Sequence, residues 1–61
     1  MIGKKFRILR EYEHLGQHIR AGDIFTCVAY YEDGRIVLDR GQDKGFYIIW
    51  DCQLGLEAEI I

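Results

Sequence analysis

The chain has no proline and no serine, and it holds one methionine, one tryptophan, two cysteines and two histidines. Without proline there is no polyproline segment and no stiff proline-rich linker. Without serine, Thr26 is the one hydroxyl besides the tyrosines. The two cysteines sit in apolar stretches, FTCVAY around Cys27 and IWDCQL around Cys52, which argues against an activated thiolate. In such surroundings a cysteine behaves as a small buried hydrophobe, so free, buried thiols are expected, with one disulfide as the alternative. No CxxC pair and no zinc ligand set are present, so neither metal nor cofactor is expected. No apolar run approaches the roughly 20 residues of a membrane helix, and nothing reads as a signal peptide. A cytoplasmic location with no membrane partner is the expectation.

What is present is apolar mass in a short chain. Of 61 residues, 49% are hydrophobic and 13% aromatic, which excludes disorder and predicts a single domain over 1–61. A chain of this size buries only about 60% of its unfolded surface, so its core is small. Very regular packing or a second subunit would have to support it, which makes homodimerisation a possibility. The net charge of −2 conceals a split: residues 1–20 hold five cations and two acids, whereas residues 21–61 hold three cations and eight acids. The halves can attract one another, or leave a basic edge and an acidic face for oriented protein partners.

Turn chemistry divides the apolar runs into strands. In KKFRILREYEH, Phe6, Ile8 and Tyr12 alternate with Lys5, Arg7, Leu9 and Glu11, a period-two pattern. HLGQHIRAGD lacks alternation and predicts an ordered loop pinned by Leu15 and Ile19. IFTCVAYY and RIVLDR flank Asp33-Gly34, which predicts a hairpin with a primed turn. After GQDKG comes FYIIW, whose lack of alternation suggests burial on both faces. DCQLG predicts one 3₁₀ turn, and LEAEII a final strand with Glu57 and Glu59 on one side and Leu56, Ala58 and Ile60 on the other. Five short strands cannot enclose a dry core as a flat sheet, but they can curl into a barrel whose last strand pairs with the first. Ile61, Leu9, Tyr31 and one face of FYIIW are then surplus apolar surface, which predicts a partner.

The order of these elements, with Ala21-Gly22-Asp23 before the second strand, Asp33-Gly34, the Tyr47-x-Ile49-Trp50 strand, one helical turn and Leu56-Glu57, resembles the SH3-like barrel. In particular it resembles the stand-alone bacterial and phage barrels related to KOW domains. The resemblance implies an all-β, five-stranded SH3-like barrel with a short 3₁₀ turn before its last strand. It also implies a small phage, prophage or bacterial accessory protein. The chain departs from the SH3 domains that read proline-rich peptides. Its first strand is FRILREYE, Trp50 stands without a paired tryptophan, and the long loop carries His14, His18 and Arg20 in place of acids.

Candidate functional residues follow. His14 and His18 lie four apart; as metal ligands they would need a third and a fourth donor, of which Glu11 or Glu13 could supply one, so they read as loop histidines able to lend pH sensitivity near neutrality. The carboxylates of Glu11, Glu13, Asp39, Asp43, Asp51, Glu57 and Glu59 have little prospect of an enclosing pocket in so small a barrel, so no catalysis is expected. Tyr30 and Tyr31 point opposite ways, leaving one of them on the surface. The register of FYIIW is open, because either Phe46, Ile48 and Trp50 or Tyr47 and Ile49 face inward. A buried Trp50 is the expectation; exposed, Trp50 or Tyr31 would be an interface anchor. The favoured reading is a non-catalytic protein-interaction module that modulates a partner protein, its candidates being Tyr12, His14, His18, Arg20, Tyr31, Tyr47 and Trp50. The alternative is a nucleic-acid-binding barrel that uses Lys4, Lys5, Arg7 and Arg10 with nearby tyrosines as stacking platforms.

Overall fold

A computed structural model describes the backbone of residues 1–61 and every side chain except that of His14. The chain is all-β. Its strands are β1 (Lys5–Ile8), β2 (Tyr12–His14), β3 (Gln17–Ile19), β4 (Ile24–Tyr30), β5 (Arg35–Asp39), β6 (Phe46–Trp50) and β7 (Ala58–Ile60), with a 3₁₀ turn over Asp51–Gln53. Five strands form an antiparallel sheet in the order β6-β5-β4-β1-β7, and β2 and β3 form a separate hairpin. Among the described residues, no helix is long and apolar enough to cross a membrane.

The terminal strand does pair with the first: Arg7 lies opposite Glu59 and Ile8 opposite Ala58. The expected closed barrel is not found, because β6 and β7 stand at opposite edges of the sheet. The final strand is only three residues long, and the 3₁₀ turn with residues 54–57 carries the chain away from β6 before β7 begins. The separate hairpin contributes Ile19, fully buried, to the core built on the inner face. That core is Phe6, Ile8, Ile19, Phe25, Cys27, Ile36, Leu38, Ile49 and Ala58, with Tyr47 and Leu54 packed against it. Cross-strand pairs Phe6–Phe25, Cys27–Leu38 and Ile36–Ile49 account for most of it.

Several expectations are corrected. The first run does not continue as one strand: β1 ends at Ile8, and Tyr12 belongs to β2. The predicted long loop is the β2–β3 hairpin, whose tip, Leu15-Gly16, has positive φ at both residues, as a type I′ turn requires. Leu15 therefore does not pin the loop; it is 89% exposed at the tip. The Asp33-Gly34 hairpin forms, but only Gly34 of the two has positive φ. The Gly34 amide donates to Tyr31 O, and the Tyr31 amide to Arg35 O. This is the three-residue loop with a glycine bulge, not the primed turn. The primed pattern appears instead in the β5–β6 loop, where Gln42 and Asp43 both have positive φ and the Lys44 amide donates to Gly41 O.

Burial corrects others. Cys27 is buried and Cys52 is exposed; both are free. Leu56 precedes β7 and is exposed. Tyr30 and Tyr31 are both exposed. A register shift between Cys27 and Ala29 makes Val28 the extra residue of a β-bulge, so Tyr30 falls opposite Ile36 at the open end of the inner face.

Candidate functional site

Strand β6 decides what the outer face of the sheet looks like. Ile49 is 1% exposed opposite Ile36, and Tyr47 lies opposite Leu38, so these two face the core. Alternation then turns Phe46, Ile48 and Trp50 outward, at 56%, 50% and 45% exposure. The expectation that Trp50 is buried, and that β6 is covered on both faces, is thus overturned. Trp50 lies opposite Arg35, whose guanidinium sits 4.7 Å from the Tyr31 ring centre and also bonds Asp33 at 2.8 Å. Tyr31, Arg35 and Trp50 are brought to one end of the outer face.

The backbone of β6 is open along the same strand. The Asp51 amide donates to Gly34 O and the Arg40 amide to Gly45 O. Antiparallel alternation between those two bonds directs the polar groups of Tyr47 and Ile49 to β5 and those of Phe46, Ile48 and Trp50 outward. Among the described residues, Gln17 Nε2 reaches Phe46 O at 3.4 Å, and the Trp50 amide donates to Gln53 Oε1 at 2.8 Å. No strand pairs with β6 on that side.

The other predicted residues fall into separate groups. Tyr12 and Tyr47 meet with ring centres 6.0 Å apart, and Phe25 lies edge-on to Tyr47 at 6.4 Å. Burial, with Glu57 and Tyr12 adding to it, pushes the Tyr47 phenol above its ordinary value. His18 Nε2 lies 2.7 Å from Glu11 Oε1, and Nδ1 lies 3.9 Å from Glu13 Oε2. No group of three or more potential metal ligands occurs among the described residues. The side chain of His14 lies outside the described residues. Arg20 lines a cleft of about 720 Å³ together with His18, Asp23, Arg40 and Lys44.

The basic first strand is not left as a free track. Arg7 pairs with Glu59 at 3.0 Å, Arg10 with Glu57 at 3.5 Å, and Lys5 Nζ donates to Thr26 Oγ1 at 3.3 Å; Lys4 is exposed. None of these contacts brings a cation to a ring. The cation–ring contacts are Arg35 with Tyr31 and Arg40 with Phe25, the latter at 6.0 Å. Sequence reasoning left the face of Phe46 and Ile48 open, and missed Arg40 and Lys44 as cleft residues. The signal for the second pair was present in RGQDKG, where two cations flank a glycine-bounded hairpin tip.

These features define an all-β protein built on an open, five-stranded antiparallel sheet, with one apolar edge strand and a separate hairpin. Compared with known proteins, the chain matches no protein family, no curated sequence and no solved structure.

Proposed function

We propose that this chain is a small SH3-like protein that acts as a non-catalytic protein-interaction module, and that its partner docks along β6. One observation carries the reading: β6 joins an open backbone edge to an outward row of Phe46, Ile48 and Trp50. Strand edges are commonly protected by charge, proline or a bulge. FYIIW has no charged residue and no proline, and its register with β5 is unbroken. An extended partner segment could add its backbone at Ile48 while its side chains cover the aromatic row. Trp50 would be the anchor, since large rigid aromatics dominate interface energetics. The SH3-like reading of the fold is supported by the strand order and by the hairpin between the first two long strands. The 3₁₀ turn before the last strand supports it too. The nucleic-acid reading has less support, because two of its four cations are already paired with carboxylates.

The test is light scattering over a range of concentrations, with Trp50 fluorescence recorded alongside, on the wild type and Ile48→Glu. A dimer that Ile48→Glu dissociates means that a second copy occupies the strand. A monomer with solvent-exposed tryptophan emission leaves β6 for another protein. Affinity capture should then yield a partner that wild type retains and Ile48→Glu loses. If neither self-association nor capture depends on Ile48, the reading fails.

A further inference from the structure

The cations of this chain are not treated alike by the fold. Arg7, Arg10 and Arg35 are paired with carboxylates. The Arg20 guanidinium and the Lys44 ammonium have no such partner among the described residues, yet both line the cleft between β3 and the β5–β6 loop. Arg40 joins them there. Its Nη1 donates to Lys44 O at 3.2 Å and its Nη2 to His18 O at 3.3 Å, which ties the two walls together. Its Nε is buried with no acceptor among the described atoms. Such an orphaned donor in a charged group is costly to leave unmet.

Three cations therefore converge on one cleft of an acidic protein. The carboxylate among the lining residues is Asp23; its Oδ2 accepts the Arg20 amide at 3.1 Å, and its charge offsets one of the three cations. The neighbouring Asp39 Oδ1 is likewise taken, by the Gly41 amide at 2.8 Å. The His18 ring is turned to Glu11, so the cleft's own positive charge comes from Arg20, Arg40 and Lys44. Clustered like charges raise the energy of the free protein, and a bound anion removes that cost. The positively charged lining of a partly enclosed cleft also strengthens each contact to an anion relative to bulk water.

We infer that this cleft binds the phosphoryl group of a small phosphorylated or pyrophosphate-bearing ligand. A phosphoryl group offers two charges and acceptor oxygens in several directions, which suits two guanidinium groups and an ammonium. A single carboxylate would leave one of the three cations unmatched. Ile24 and the Phe25 ring supply an apolar wall for the rest of the ligand. The site is independent of β6, and either proposal can fail without the other.

Sodium pyrophosphate titrated into the ¹⁵N-labelled full chain, with sodium chloride at matched ionic strength as the control, tests it. Saturable amide shifts are expected at Gly41, Gln42 and Lys44, with a shift of the Arg40 Nε–H resonance. The double variant Arg20→Gln/Lys44→Gln should weaken binding at least tenfold. Its melting temperature should not fall, since neither side chain is held by an ion pair and the repulsion between the cations is relieved, and Arg7→Gln should bind as wild type. Shifts no larger than the chloride control, or centred on Lys4 and Lys5, overturn the inference. It also falls if an eight-residue oligothymidylate occupies the same residues more tightly than pyrophosphate and with steep salt dependence, because the site would then be part of a nucleic-acid track.

Discussion

The two edges of the sheet are built on opposite terms. At the β7 edge the chain closes on itself: Arg7 meets Glu59, Arg10 meets Glu57, and Ala58 is fully buried against β1. At the β6 edge the strand is longer and uncharged, with Phe46, Ile48 and Trp50 turned to solvent. One edge has paired its charges within the molecule, with Ile60 and Ile61 left about half exposed; the other carries no charge and leaves three large apolar side chains in one outward row. In a chain whose halves carry opposite net charge, the first edge is where that opposition is resolved. The second presents the continuous outward row of Phe46, Ile48 and Trp50, and the docking proposed above rests on it.

The largest effect should come from removing the closed edge. Deleting residues 56–61 takes away β7 and Ala58, and it exposes Phe6 and Ile8. A fold of this size has about 3–9 kcal/mol of stability, at 0.05–0.15 kcal/mol per residue. Loss of a whole strand from so small a core exceeds that, and the cooperative melt should vanish. A truncated chain that still melted cooperatively would show that β7 is an accessory and that the two edges are alike.

The second prediction divides β6 itself. Ile49→Ala empties a core position opposite Ile36 and should cost about 2–5 kcal/mol. Ile48→Ala, one residue away on the open face, should cost under about 1 kcal/mol. Chemical denaturation of both variants measures the difference. Equal costs would mean that the outer row is covered within the chain and is not surplus.

A third, smaller effect tests the corner where β5 and β6 join the 3₁₀ turn. Gly34 has φ of +100°, and a Cβ there would lie 3.0 Å from Asp51 Oδ1. Gly34→Val should cost about 2–3 kcal/mol from backbone strain plus displacement of that carboxylate. Adding Asp51→Ala should recover the steric part and leave the strain. Full recovery would show that the turn can adopt another backbone conformation.

How much of this was legible in the sequence depends on what each residue type encodes. Alternation around Phe6 and Ile8, the turn at Asp33-Gly34 and the glycine-bounded RGQDKG loop placed β1, β4, β5 and β6, because period and turn chemistry are local. The β2–β3 hairpin was missed because its tip is Leu15-Gly16, and a leucine at positive φ is a poor turn signal. The face of FYIIW was open because all five residues are apolar. Only the cross-strand pairing of Ile49 with Ile36 decides which of them point inward. The cleft was hidden for a similar reason: Arg20 and Lys44 are 24 positions apart in the chain and meet only through tertiary structure.

The smallest predicted effect concerns Tyr47, which faces the core from the same open strand. Burial, the Glu57 carboxylate and Tyr12 raise its phenol above the ordinary tyrosine value of about 10, so the folded protein holds that proton more tightly than the unfolded chain does. Between the unfolded and folded values the native state binds more protons, so stability falls as pH rises through that window. Below about pH 10 the contribution is fully present. Absorbance titration should show one of the four tyrosines ionising last, and Tyr47→Phe should remove that step while flattening the alkaline loss of stability. If the late-ionising tyrosine survives in Tyr47→Phe, the inward register of β6 is wrong. The outward row of Phe46, Ile48 and Trp50 would fall with it, since one register sets both faces.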